Sequence, residues 1–367
     1  MNARAEAHSN ASQDTFRPAL GETGPRSRPL ARTPAHTGGE TRPLTPPHSA
    51  PQPPAYASAS ASASVSAPPP TPAYVHGYSP REARRLGDQA DTLAALLHAG
   101  TAYPAGSRVL EVGCGVGAQT VHLVSSSPGA RIVAIDRSAA SLAQARAHLA
   151  AHAPEAVADV RWHRADLHRL PFSDASFDHL FLCFVLEHLT DPLRALTELR
   201  RVLRPGGTLT AIEGDHGSVV FHPDSPYARR VIDHQTALQS AAGGNALIGR
   251  QLHPLLSAAG FADVVVGPRT VYADAQRPAL ADGFTRKTFV AMVESVRDEA
   301  LAAGLTTPAD WDRGITDLRR AAEPGGSFHY TFFKAVARAG SLPRVSSSVG
   351  MHTNNFTPGA SSAASFT

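Results

Sequence analysis

Between residues 108 and 214, short and nearly unbroken apolar runs alternate with stretches of helical periodicity. "RVLEVG" (108–113), "RIVAID" (131–136), "DVRWHRAD" (159–166), "FDHLFLCFV" (177–185) and "TLTAIEG" (208–214) read as five strands. "GAQTVHLVSS" (117–126), "SAASLAQARAHLAAHA" (138–153) and "DPLRALTELRRVL" (191–203) read as helices between them. Strands that are apolar on both faces need cover on both faces. Helices that alternate with such strands supply it, which is the pattern of a parallel sheet. In the third helix Asp191 is placed to cap and Pro192 to start. Arg200, Arg201 and Arg204 fall where cations favour the dipole.

The flanks extend this pattern. "YSPREARRLGDQADTLAALLHAG" (78–100) opens with Ser79 as N-cap, Pro80 at the first helical position and Glu82 completing a capping box. Leu86, Ala90, Leu93, Ala94 and Leu97 recur on one face, so the spacing predicts a helix that ends at Gly100. The Gly206–Gly207 pair reads as a stop before strand 5. Residues 215–260 read as helical, most clearly in "ALIGRQLHPLLSAAG" (246–260). "DVVVGPRTVYA" (263–273) is a sixth strand, residues 279–323 give two or three helices, and "SFHYTFFKAVAR" (327–338) is a last strand. No internal repeat is present.

Composition separates this body from its ends. Residues 1–75 hold 14 of the 30 prolines, and their Ala, Ser and Pro content offers too little apolar surface to offset chain ordering. Residues 1–75 and 341–367 are therefore expected to be disordered tails around a body at 76–340. The whole chain carries +3, and six Arg against four acids leave +2 in the first 75 residues. The body is close to neutral, which opposes a nucleic-acid partner despite a pI of about 9.1. Cys114 and Cys183 are the only cysteines and sit far apart in apolar surroundings, so a disulfide framework is not expected. No apolar run approaches the length of a membrane span and no signal-peptide core is seen, which makes the cytoplasm the default expectation. Oligomeric state is not encoded in any of these features.

The first strand runs into "VLEVGCGVGAQT" (109–120), where Gly113, Gly115 and Gly117 alternate. Glycine permits a sharp turn and close approach of a ligand to the main chain. A dinucleotide is one candidate, because Ala118 completes a Gly-x-Gly-x-x-Ala spacing. Glu111, two residues before the first glycine, opposes it. A carboxylate there repels a pyrophosphate and suits a cationic ligand. S-adenosylmethionine carries an ammonium and a sulfonium and no phosphate.

"VLEVGCGVG" resembles motif I of the class I S-adenosylmethionine-dependent methyltransferases, and later segments match that family in order. Asp136 ends strand 2 in "VAIDRS", where the family uses an acidic residue for both ribose hydroxyls; Arg137 follows it. "ADLHRLPFSDASFD" is similar to the stretch in which an Asp, here Asp166, meets the adenine amino group and Leu167 borders the ring. "FDHLFLCFVLEHLTDPLRALTELRRVLRPGG", with Cys183 at its strand end, resembles the small-molecule branch that includes the quinone-ring (ubiquinone and menaquinone type) methyltransferases. The resemblance is strong over about 105–215 and one of layout elsewhere. It implies a Rossmann-like α/β fold, a seven-stranded mostly parallel sheet with its last strand antiparallel, and helical additions forming an acceptor cap over 215–338. It also implies S-adenosylmethionine bound by Glu111, Gly113, Cys114, Gly115, Gly117, Asp136, Arg137, Asp166, Leu167 and Cys183.

Methyl transfer needs a positioned nucleophile, excluded water and, for a tightly held proton, a base. His188 in "VLEHL" and His216 in "IEGDHGSVVFHPDSPY" (212–227) are the candidate catalytic residues, lying beyond strands 4 and 5. The alternative for His188 is a helix-start residue packed on the sheet, with Glu187 as a structural partner. Glu213, Asp215, His216 and His222 fall together in one segment whose spacing matches no metal motif, so no metal is expected. Polar groups orienting an acceptor, or a plain polar loop, are the other readings. Arg250 reads as a solvated helix residue, and Phe284, Phe289, Met292 and Val293 as pocket lining or core. Tyr78 and the helix from Pro80 are candidates for a lid. A small-molecule acceptor bearing an O, N, S or C nucleophile is the leading expectation; the Ala-, Pro- and Arg-rich composition suggests a GC-rich genome, and the family resemblance implies a place in secondary metabolism. Methylation of RNA or protein is the alternative; it is opposed by the neutral body and by "CFVLEH" in place of an Asn- or Asp-Pro-Pro-aromatic motif. A non-catalytic scaffold is a third reading.

Overall fold

A computed structural model describes residues 79–340. Tyr78 and both segments expected to be tails lie outside the described residues. The chain enters through helix α1 (Pro80–Leu97) and builds a parallel half from β1 (Arg108–Val112), α2 (Ala118–Ser126), β2 (Arg131–Asp136), α3 (Ala139–His152) and β3 (Val160–Arg164). β4 (Phe177–Cys183), α4 (Pro192–Val202), β5 (Leu203–His222), α5 (Pro226–Ala241), α6 (Leu252–Ala258) and β6 (Phe261–Ala273) follow. A mostly helical stretch then leads to β7 (Ser327–Ala339).

The sheet has seven strands in the order β3-β2-β1-β4-β5-β7-β6. β7 alone is antiparallel to its neighbours, pairing between β5 and β6. This is the Rossmann-like α/β arrangement expected of the class I architecture. Its core lies in two layers, one on each face of the sheet. Leu93, Leu123, Phe181 and Phe284 belong to one, and Leu110, Leu180, Leu196 and Leu252 to the other. Helix starts follow the capping logic. Ser79 accepts from the Glu82 amide, Ser138 from Ser141, and Asp191 from Arg194. Among the described residues no helix is long and apolar enough to cross a membrane.

Three expectations are corrected. β5 does not begin after the glycine pair; it starts at Leu203, runs through Gly206–Gly207 and reaches His222. Residues 215–222 are consequently strand, and helix resumes only at α5. The reason is the partner strand: β7 pairs with β5 from Thr208 as far as His222, with an irregularity between Asp215 and Val220. Beyond β6, α7 (Pro278–Leu280) continues as a π-helical segment (Ala281–Val290) into α8 (Ala291–Glu294), followed by α9 (Arg297–Ala302) and α10 (Pro308–Arg319). A π-helix is rare and no periodicity announces it. In α1, finally, Leu86 and Ala94 are only half-buried, whereas Glu82, Arg85 and Gln89 are buried.

Lys334 of β7 pins α1 to the sheet. Its ammonium donates to the carbonyls of Leu97 (3.0 Å) and Ala99 (2.8 Å) and to the Thr101 hydroxyl. These are the unpaired acceptors at a helix C-terminus, where a cation is favoured. Burial nevertheless pushes the lysine down to about 8. Its folded pKa is then below the unfolded value, so its contribution to stability rises with pH between about 8 and 10.5. Urea unfolding of wild type against Lys334→Met is expected to give a difference that shifts in favour of wild type over that window, by at most about 3 kcal/mol.

Candidate functional site

The carboxyl ends of β1 to β5 open into one cavity of about 1150 Å³, closed on its other sides by α1, the π-helical segment and β7. Strand order reverses between β1 and β4, so the cavity stands at the switch point where open α/β sheets bind ligands.

One half is built by β1, β2 and β3. All three glycines after β1 have left-handed φ, but they do different work. A Cβ on Gly113 would lie 2.8 Å from Val185 Cγ2, and one on Gly117 would lie 3.0 Å from the Ala145 backbone. A Cβ on Gly115 would meet nothing within 4 Å, and this residue lines the cavity. Two glycines therefore serve packing, and the middle one leaves the main chain open to a ligand. Asp136, at the end of β2, fixes that opening: its carboxylate accepts from the Gly115 amide at 3.0 Å and the Ser138 amide at 2.8 Å. Each carboxylate oxygen keeps capacity for a further donor. Asp166 stands exposed beyond β3 and accepts from the His168 amide, which with the neighbouring imidazole holds its pKa below the usual carboxylate value. Arg137, Leu167 and Cys114 also line this half. Cys114 and Cys183 are both buried free thiols, and burial pushes both up, away from reactive thiolates.

Glu111 is placed differently from expectation. It is 1% exposed, lies beneath the glycine turn and does not line the cavity. Thr120 Oγ1 donates to its Oε2 at 2.7 Å, while Oε1 is buried without a hydrogen-bond partner. Burial raises its pKa to about 8. Burial thus favours the protonated form of Glu111, and because the side chain is off the cavity wall it does not meet a pyrophosphate directly.

The other half is built by β4, β5, β7 and the π-helical segment. At the end of β4, Phe184 is held at φ +59, an uncommon conformation for an aromatic residue. The turn that follows, Leu186–His188, is fastened by Glu213. The Glu213 carboxylate, wholly buried, accepts from the amides of Leu186 (2.8 Å), Val185 (3.0 Å) and Glu187 (3.4 Å). Burial, and then the nearby Glu187 carboxylate, push the pKa of Glu213 up against the pull of these amides. The fastened turn brings Glu187 and His188 to the cavity wall, with His188 Nε2 3.4 Å from Glu187 Oε1. Burial lowers the His188 pKa and Glu187 opposes that.

Strand alternation sorts the next residues. Gly214 and His216 line the cavity; Glu213 and Asp215 do not. Asp215 is gripped by Arg250 through two bonds, Nε at 2.7 Å and Nη2 at 2.8 Å, so Arg250 is ion-paired and not simply solvated. His222 is exposed at the far end of β5 and is not part of the lining. The four residues that fell together in sequence are therefore dispersed. His216 Nδ1 lies 3.1 Å from the Tyr330 hydroxyl, and its Nε2 is buried without a partner. Phe284, Phe289 and Met292 reach the cavity, as expected of lining, whereas Val293 is core.

The sequence reading missed Tyr330, Phe332, Phe184 and Thr288, all on the cavity wall. It also missed the buried polar row on α1, in which Arg85 bonds Glu82 (2.6 and 2.8 Å) and Gln89 (3.1 Å). A signal existed for the first two. Strand alternation in "SFHYTFF" puts Phe328, Tyr330 and Phe332 on one face.

Residues 110–211 match the family model described as "Methyltransferase domain". That segment is similar to a methyltransferase domain, and it spans β1 to β5 of a sheet with the class I strand order. The chain is 38% identical over 186 residues to an "Uncharacterized 37.1 kDa protein in transposon TN4556" of Streptomyces fradiae, covering 50% of this chain and 52% of that protein. It is 31% identical over 189 residues to an uncharacterized methyltransferase of Schizosaccharomyces pombe, covering 49% and 64%. It is 32% identical over 147 residues to the "Ubiquinone/menaquinone biosynthesis C-methyltransferase UbiE" of Paracoccus denitrificans, covering 38% and 58%. The chain thus spans about half to under two thirds of the length of these curated relatives. The matched methyltransferase segment holds the glycine turn, Asp136, Asp166 and His188; His216 and the aromatic wall lie beyond it.

The glycines give a test that separates packing from ligand approach. Gly113→Ala adds a contact with Val185 to the cost of left-handed φ, and is expected to lose about 2–3 kcal/mol of stability in urea unfolding. Gly115→Ala is expected to lose only the conformational part, about 1–2 kcal/mol, while weakening ligand binding more than any change in stability explains.

Proposed function

We propose that this chain transfers a methyl group from S-adenosylmethionine to a small-molecule acceptor. The observation that carries the reading is a row of acceptor oxygens beside an open main-chain turn, inside the segment matched to the methyltransferase family. Asp136 offers two carboxylate oxygens to a vicinal diol, and Asp166 an ionised oxygen to an exocyclic amino group. The open space at Gly115 fits a ligand seated on the turn. In this reading Gly113, Cys114 and Gly115 supply main chain, Gly117 shapes the turn, Leu167 borders the adenine, Arg137 flanks the ribose and Cys183 closes the floor. Glu111 acts through the turn.

When bound, S-adenosylmethionine supplies an already activated methyl group. The protein's own work is to orient the acceptor, exclude water and receive a proton. The half of the cavity built by β4, β5 and β7 takes the acceptor, and His216 and His188 are the residues placed to receive its proton. Residues 76–340 form the methyltransferase unit, with a cofactor-binding core at 105–215 and an acceptor side at 215–338.

Titration calorimetry with S-adenosylhomocysteine and with NAD tests the reading. The first is expected to bind wild type, and Asp136→Asn, which keeps the side chain's size, to lose at least about tenfold in affinity through a lost charge-assisted bond. Binding of NAD with none of S-adenosylhomocysteine would overturn it.

A further inference from the structure

The acceptor half has a polar centre and an apolar frame. His216 is 7% exposed, lines the cavity, and has one ring nitrogen, Nε2, buried with no hydrogen-bond partner. A buried polar atom left unpaired is costly, so one that faces a cavity points to a ligand atom that completes it. The other nitrogen is held: Nδ1 lies 3.1 Å from the Tyr330 hydroxyl, and the Ala246 carbonyl also faces the imidazole. With the ring hydrogen on Nδ1 and donated to the Tyr330 oxygen, Nε2 is bare. The Tyr330 oxygen has lone pairs to accept that imidazole N–H. Gly214 is what allows Tyr330 to come this close, because any Cβ there would strike the hydroxyl.

The frame is aromatic. Phe289 stands 5.8 Å from the His216 ring, Phe332 stands 4.6 Å from Tyr330, and Phe184 stands 5.4 Å from Phe332, centre to centre. Such faces favour a flat, apolar molecule. Charge argues the same way. Arg85 on the α1 wall is matched by Glu82, and Glu187 adds a further carboxylate beside His188. Arg137 reaches His188 from the cofactor half, but among the described residues no Arg or Lys of β7 or the π-helical segment lines the cavity, so an anionic acceptor would find no cation on the aromatic wall.

We infer, resting on the methyl-transfer reading above, that the acceptor is a neutral, flat, apolar molecule with one weakly acidic hydroxyl, and that Tyr330 is the positioning residue that aims His216 Nε2 at that hydroxyl. The hydroxyl oxygen forms its bond to the methyl carbon as the carbon–sulfur bond breaks, and that electron pair stays on sulfur. The hydroxyl proton passes to Nε2. The positive charge that leaves sulfur thus reappears on the imidazolium. The groups facing that charge are Glu187 and His188 from the turn after β4, Asp215 with its partner Arg250, and the Tyr330 oxygen from β7. Glu187 makes the site able to hold it.

The test uses three probes on the full chain, with and without S-adenosylhomocysteine: 2-naphthol, 2-methoxynaphthalene and 2-naphthoate. 2-Naphthol is expected to bind at least about tenfold tighter than the other two, the worth of one good hydrogen bond and of an avoided like charge. After the free probe's own naphtholate emission in water is subtracted, bound 2-naphthol is also expected to show naphtholate emission, since a base within reach takes the proton of the excited phenol in a site that excludes water. That band is expected to vanish in His216→Leu and to fall several-fold in Tyr330→Phe, which keeps the ring and the packing. A Tyr330 that only filled space would leave the band unchanged in Tyr330→Phe. Failure of 2-naphthol to bind, equal affinity for 2-naphthoate, or naphtholate emission indifferent to Tyr330→Phe would overturn the inference. The titration with S-adenosylhomocysteine alone reports separately on the methyl-donor reading, because the naphthol probes need no cofactor.

Discussion

The grip of Glu213 on the turn after β4 is the interaction on which the acceptor half depends. A carboxyl group buried to this degree is costly to place, and three backbone amides meet it. Without it the amides of Val185, Leu186 and Glu187 would themselves be buried donors without partners. The bond also crosses from β5 to the end of β4, so it couples the two strands where their ladder ends. Glu187 and His188 therefore project from a fixed turn, and Phe184 is held in an unfavourable conformation by its surroundings.

A second constraint organises the opposite half. Asp136 reaches back from the end of β2 to the Gly115 amide, so one carboxylate both shapes the glycine turn and faces the cavity. The two halves meet at Gly113, whose missing side chain lets the first turn pack against Val185 of the second. α1 then covers both. Its buried Glu82–Arg85–Gln89 row faces inward, and Lys334 ties its far end to β7. The helix that the sequence offers as a lid is thus fixed at its C-terminus by a strand more than 230 residues away.

Much of this was legible in the sequence. Strand and helix alternation gave the sheet, and the capping residues Ser79 and Asp191 gave two helix starts where they occur. The glycine turn, Asp136 and Asp166 were legible because local chemistry fixes them: a strand end, a sharp turn and a carboxylate beside it recur at short spacing. β5 was misjudged because Gly206–Gly207 is a stop signal by local propensity; β4 pairs on either side of it, at Leu203 and Thr208, and β7 carries the strand on to His222. Glu213, Asp215, His216 and His222 looked like a cluster because they are neighbours in sequence. Strand alternation and strand length then send them to four different environments. Tyr330 could not be linked to His216 from sequence, since 114 residues separate them.

The sequence by itself determined the α/β class, the position of the glycine turn and the carboxylates that follow β2 and β3, because each depends on contacts within a few residues. Only the tertiary structure decided that Glu111 is buried beneath the turn, that Glu213 is a brace, and that His216 faces the cavity with one nitrogen free. Those outcomes rest on desolvation and on partners brought in by distant strands. Burial sets what an ionisable side chain does, and burial is a property of the assembled sheet.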